Sequence, residues 1–331
     1  AWPSLKRMNA YWEAGEREVG VPAYRDAFCA IYNASPAELG FTETGLDDEG
    51  EEGRHLQLEA VDAGVVQVLA DETQHLRVLD RRIGSATRAA LLDAHADLVA
   101  DLLGRAIGPQ RRELAAVAGE AASLAGWSAL DRGDLAAAWS RHQLARAAAL
   151  ESGALRLQAF VVAQQSVILA DAAKITAARD EAAAAVALVG HGAPHVLRSW
   201  LAMNHATALA GNGEAAAARA EMTRAQSLLT DDADDLPYVM LPPMHLARWI
   251  GHCLTVLGDP AAIATLEEAR AADGDSIRAA IGLHTDLAIA LAASGKQDAA
   301  DEEGARALAL AERGGSVRQR KRLRLIQIPR A

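Results

Sequence analysis

Four residues in this 331-residue chain have types and spacings suited to recognition chemistry: His245, Arg248, Trp249 and His252. Offsets of three, four and seven put them on one face of a single helix. Two imidazoles, a guanidinium and an indole on one face can hold a carboxylate, a peptide backbone or a stacked ring. Zinc fits less well, because the two histidines are two helical turns apart and lack a third ligand nearby. The Asp-rich stretch 230–235 lacks the ligand spacing and bidentate Glu of a calcium loop and reads as solvated. Elsewhere the chain has no P-loop, no G-x-G-x-x-G after a strand, no H-E-x-x-H and no G-x-S-x-G. No nucleophile stands beside a base, so neither catalysis, a cofactor nor a metal is expected.

The elements that must carry such a face are helices. Alanine supplies 77 residues and aromatics only 13. Alanine loses no side-chain entropy in a helix and fills little volume, whereas sheets favour β-branched and aromatic residues. The fold class expected is all-α. Two cysteines, Cys29 and Cys253, cannot build a disulfide framework and read as small hydrophobes in a reducing cytoplasm. No run of 18 uncharged apolar residues is present, so no membrane span is expected. The first residues lack the apolar core of a signal peptide. A net charge of −11 argues against a surface that binds nucleic acid along its whole length, but not against one small DNA-reading module on an acidic body.

The chain repeats itself. Five turns follow an apolar helix and precede an alanine-rich one, anchored at Gly133, Ala173, Gly213, Gly258 and Gly295, with spacings of 40, 40, 45 and 37. Seven residues before each anchor stand Gly126, Ser166, Ala206, Gly251 and Ala288, all small. Five after stand Ala138, Ala178, Ala218, Ile263 and Ala300. Twelve after stand Ala145, Ala185, Ala225, Arg270 and Ala307, the fourth off pattern. Small residues at fixed points let antiparallel helices approach and the pairs stack. The pattern resembles the tetratricopeptide repeat over residues 111–317, although the spacing exceeds the usual period of about 34; an alanine-rich helical bundle is the alternative. Residues 73–110 read as one or two capping helices with a stripe of Leu79, Ile83, Leu91, Leu92, Leu98, Leu102 and Leu103.

The N-terminus reads as a helix from Pro3 or Ser4 to Gly15, a second over Val21–Tyr32, and a capping box Ser35-Pro36-Ala37-Glu38 closing at Gly40. The run SLKRMNAYWEAGERE…VPAYRDAFCAIYNASPAELGF resembles the back half of an XRE-type (Cro/repressor-like) helix-turn-helix domain of actinobacteria. Trp12-Glu13-Ala14-Gly15 matches the end of that family's recognition helix. The resemblance implies that two earlier helices precede this segment, in keeping with the absent initiator Met. It places Lys6, Arg7 and Asn9 on the helix that enters the major groove, with Arg17 suited to a phosphate. Those residue types fit: Lys and Arg read guanine, Asn reads adenine.

The repeat resemblance implies that positions 13, 10, 9 and 6 before each anchor line a concave face. From these, Trp127, Gln164, Trp200, Met203, Asn204, His245, Arg248, Trp249 and His252 are the expected ligand-binding residues. The basic run Ser316–Arg324 reads as a charged last helix, and the Ser-x-Arg that follows the last repeat is common in the resembled family. The expected organisation is the back half of a DNA-binding domain over 1–41, an acidic linker and lead-in over 42–72, a cap over 73–110, a tetratricopeptide-like α-solenoid of about five helix pairs over 111–317, and a basic tail over 318–331. The expected function is a cytoplasmic, homodimeric transcription regulator that binds double-stranded DNA and senses a small-molecule or peptide effector, in control of secondary metabolism or differentiation. The alternative is a repeat scaffold that binds a protein partner without touching DNA.

Overall fold

The computed structural model describes residues 59–84, 88–229, 236–239, 243–271, 276–324 and 326, together with Cys29. The chain divides into two units, Ala1–His55 and Leu56–Ala331. In the first, only Cys29 is described; it is helical, half-buried and free. Lys6, Arg7, Asn9 and Arg17, the acidic stretch 46–53 and the loop 230–235 lie outside the described residues.

The second unit is all-α, with thirteen helices among its described residues. They are α1 (Ala63–Ile83), α2 (Ala89–Arg105), α3 (Arg111–Asp131), α4 (Leu135–Ser152), α5 (Leu155–Asp171), α6 (Ile175–Leu188), α7 (His195–Gly211), α8 (Ala215–Leu228), α9 (Pro243–Val256), α10 (Ala261–Ala271), α11 (Ile277–Ala293), α12 (Gln297–Gly314) and α13 (Val317–Arg324). Two short strands, β1 (Glu59–Ala60) and β2 (Ala106–Ile107), pair in parallel. The residues read as lead-in up to 72 include the first turns of α1, which begins where Asp62 caps the Val65 N–H.

Each repeat anchor takes the same backbone conformation. Gly133, Gly213, Gly258 and Gly295 have φ of 78°, 81°, 68° and 74°, and Ala173 has φ 57°. At every anchor the next residue's N–H reaches the carbonyl five positions back, as in Asp134 to Ala129 at 3.0 Å and Lys174 to Leu169 at 2.8 Å. This is the Schellman closure, and it satisfies carbonyls that a helix end leaves open. Ala173 holds the left-handed conformation at a cost that glycine avoids. Ala173→Gly is therefore expected to raise stability by about 0.5–1 kcal/mol, whereas Gly213→Ala lowers it by about 1 kcal/mol; chemical denaturation of both variants checks the opposite signs.

The small positions are the contacts between paired helices. Ala138, Ala145, Ala178, Ala185, Ala218, Ala225, Ala300 and Ala307 are all buried. A side chain at Gly126 would collide with the ring of His142, and one at Gly251 would lie 2.6 Å from Leu266 Cγ. The off-pattern fourth repeat has a physical explanation. Asp259 caps the Ala261 N–H, and the Ala262 N–H bonds Asp259's carbonyl three residues back, where the other repeats use four. That tighter first turn advances the helix by one residue. Ala262, Leu266 and Ala269 are thus buried, while Ile263 is only half-buried and Arg270 is exposed.

The odd-numbered helices α1 to α11 form an inner layer in which each packs on the next, and the even-numbered helices lie outside. The two ends of this layer meet: α1 packs on α11 as well as on α3. Asp80 on α1 accepts from Arg278 on α11 at 2.5 Å, and Gly84 sits against the backbone of Gly314. The apolar stripe read over 73–110 is only partly internal. Leu92 and Leu103 are buried, but Leu79, Ile83, Leu91 and Leu98 are exposed. The inward face of α1 instead carries Thr73, Arg77 and Asp80 beside Val66, Leu69 and Leu76. These polar groups have partners: Thr73 with His95, Arg77 with Glu120 and Asp80 with Arg278. These hydrogen bonds reduce the penalty of burying polar groups, but burial still holds the Asp80 and Glu120 carboxyls above their usual range.

Candidate functional site

The inner helices enclose a cavity of about 720 Å³. Its wall is built from the halves of these helices nearest the repeat turns, because residues six and nine before an anchor face inward there. Trp127, Val167, Thr207 and His252 line it from the first of these positions, and Asn204, Trp249 and Asp286 from the second. His245 and Arg248 complete the face read on α9.

Six of the nine expected ligand residues therefore share this wall: Trp127, Asn204, His245, Arg248, Trp249 and His252. The other three are not among its lining residues. Met203 is fully buried, packed in the core between repeats. The Gln164 amide is buried between Ser123 and His142, 2.8 Å from His142 Nε2. Burial holds the His142 ring below the usual imidazole range, and its Nδ1 lies 2.9 Å from the Ala138 carbonyl oxygen. Trp200 is buried, its ring centroid 5.0 Å from Phe160 and 6.4 Å from Trp249 in an edge-on contact. With Tyr238 on Phe160 at 4.8 Å, these rings form a ladder across neighbouring repeats that ends at the cavity. Each such pair contributes about 0.5–1.5 kcal/mol beyond its buried area. The correction is one of depth: residues on a shared helix face divide between wall and core according to how closely the next helix approaches.

Residues outside the expected set close the cavity. The basic run is helix α13, and it lies against α3, α11 and α12. Ser316 Oγ donates to Asp131 at 2.6 Å, and Arg318 grips Asp171 through Nε and Nη2 at 2.5 and 2.9 Å. Asp131 and Asp171 are equivalent residues, each the last of an inner helix and two before its anchor. The Ser-x-Arg motif thus reads the same position in two successive repeats. Further along, Arg322 donates to Asp286 at 2.6 Å, and His252 Nδ1 donates to the other oxygen at 2.9 Å. Burial alone would push the Asp286 carboxyl up, but the charges of Arg322 and His252 hold it well below the usual carboxylate range. The arginine charges of α13 were visible in the sequence; their direction was not, because nothing local aims a terminal helix into a groove.

The wall is positively charged although the chain is acidic. Arg81, Arg248, Arg278, Arg318, Lys321 and Arg322 face only Asp131, Asp171 and Asp286 among the lining residues. Arg318 and Arg322 are neutralised by Asp171 and Asp286, and Arg278 by Asp80. Arg81 and Lys321 make no ion pair among the described residues. Burial and the neighbouring charge of Arg77 lower the Arg81 guanidinium to about 10, which leaves it protonated at neutral pH. Arg248 and Arg318 stack 5.9 Å from the ring centroids of Trp249 and Trp127, a cation–π arrangement. Cys253 is buried and its thiol is pushed up to about 11 by burial, so it takes no part as a nucleophile. Among the described residues no three His, Cys, Asp or Glu side chains are placed to hold a metal ion, and no helix is long and apolar enough to cross a membrane. Comparison with protein-family models and with curated proteins finds no match to this chain.

Proposed function

We propose that the chain is a DNA-binding transcription regulator whose helical array senses a small effector. The observation that carries the sensing half is the half-open cavity of about 720 Å³, within the range of small-molecule sites and lined by aromatic rings and charged side chains. The DNA-reading half is supported by the helix-turn-helix resemblance of residues 4–41, where Lys6, Arg7 and Asn9 occupy the recognition helix. Coupling follows from the closed array. A ligand between the inner helices bears on α13, which is tied to α3, α5 and α11. A ligand that binds one arrangement of those helices better shifts the population toward it. In a homodimer, that shift alters the separation of two DNA-reading heads, to which half-site spacing is sensitive. A role in secondary metabolism or differentiation accords with the actinobacterial resemblance.

The test is selection from random duplexes by the full-length protein, followed by anisotropy titration. The expected result is salt-dependent, sequence-selective binding, weakened about tenfold or more by Lys6→Ala and by Arg7→Ala. Absence of duplex binding at low salt overturns the regulator reading.

A further inference from the structure

The charge and shape of the cavity narrow what it accepts. A peptide running along the inner helices would need the face that α13 already occupies, since α13 packs on α3 and α11 and holds the end of α5 through Arg318 and Asp171. What α13 leaves is a half-open cavity shortened along that face. Its wall offers the indole rings of Trp127 and Trp249. It also offers two cations, Arg81 and Lys321, that make no close ion pair among the described residues, the nearby charge of Asp80 offsetting part of that of Arg81. Arg81 is half-buried and Lys321 is exposed at the mouth, and the wall carries more cations than carboxylates. Such an excess of positive charge favours an anion, and flat rings favour an apolar body. We propose that the cavity binds a small organic acid with a ring-containing apolar body, its acid group drawn by Arg81 and Lys321 and its rings by Trp127 and Trp249. This assignment rests on the sensor reading and makes α13, through Lys321, part of the site rather than a mere lid.

The same electrostatics separates the docking of α13 from ligand binding. Arg318 and Arg322 have their own carboxylates, so helix docking does not use the two cations assigned to the ligand. Substituting those two should remove ligand affinity and leave the helix docked.

The probe is 8-anilinonaphthalene-1-sulfonate, a ring-bearing anion, compared with its neutral analogue N-phenyl-1-naphthylamine. Both are titrated into the full chain without DNA and followed by energy transfer from tryptophan. The expected result is saturable binding of one sulfonate per chain, with the neutral analogue weaker. The pair Arg81→Gln and Lys321→Gln together weaken sulfonate binding by at least about tenfold, while the melting temperature and resistance of the C-terminal helix to trypsin are retained. Arg313→Gln, an exposed residue of α12 outside the cavity, leaves binding unchanged. Displacement of the probe by 2-naphthoate or by naphthyl phosphate identifies the acid group preferred. Equal binding of the neutral analogue, or full affinity in the double variant, overturns the assignment, as does the absence of saturable sulfonate binding. Because no DNA is present, these outcomes are separate from failure of the duplex-binding test.

Discussion

Asp286→Asn is expected to lower unfolding stability at pH 7 by about 3 kcal/mol and to expose the C-terminal helix to trypsin. Asp286 is buried on α11 and accepts from both Arg322 on α13 and His252 on α9. Removing its charge leaves two donors facing a neutral amide, and breaking a buried pair costs about 3–5 kcal/mol. The lower end applies because the side chains of Arg322 and His252 retain 23% and 25% exposure. The effect has a definite pH dependence. A carboxyl held below its usual range contributes stability that is fully present above the unfolded pKa of about 3.9, and that is lost as pH falls toward the folded value. The difference between the two proteins should therefore shrink as the pH falls below about 4. Guanidinium denaturation across that range measures it. A difference that vanishes at pH 7, or that fails to shrink as the pH falls below about 4, would refute the role given to Asp286. Tryptic release at Arg322 and Arg324, faster in the variant, reports separately on helix docking.

Gly84→Ala is the second large effect, at about 4 kcal/mol. Gly84 has φ 79° and ψ 176°, a region essentially confined to glycine, where another residue is strained by about 1–3 kcal/mol. A side chain there would also lie 2.7 Å from the Cα of Gly314 and closer still to its carbonyl oxygen. Backbone cannot swing aside as a side-chain tip can, so α1 and α12 must separate, with an overpacking cost of about 1–3 kcal/mol. The control is Gly108→Ala. Gly108 has φ 99° but open space around its Cβ direction, so only the strain, about 1–2 kcal/mol, is lost. Similar losses in both variants would show that contact between the array's ends contributes little. A much larger loss in Gly84→Ala, with loosening of the Arg278 to Asp80 pair, is the expected result.

Much of this fold could be read before any coordinates. The five anchors recur because a helix end that turns sharply needs a left-handed residue, and glycine supplies it at four of them. The alanines recur because close helix pairs admit only small contacts. Both are short-range requirements that a single repeat imposes on itself. The fourth repeat reads as off pattern in the sequence, and one hydrogen bond of three residues instead of four, at Asp259-Pro260, is the reason the helix face shifts away from Ile263 and Arg270. The four residues of α9 were legible as one helix face through their spacing, and all four line the cavity.

What remained hidden depends on contacts far apart in the chain. Gln164, Trp200 and Met203 have the same helical phase as cavity residues, but approach of the neighbouring repeat buries them. The polar inward face of α1 violates apolar patterning, and only its partners on α2, α3 and α11 make that burial tolerable. Arg318 and Arg322 resembled a solvated basic tail until Asp171 and Asp286, 147 and 36 residues away, were brought beside them. The sequence by itself thus determined the helices, their turns and their pairing, since these rest on backbone conformation and side-chain size within one repeat. Only the tertiary structure decided that the array's ends meet, that α13 turns its charges inward and that the cavity is cationic, because long-range electrostatics and packing depth have no local signature.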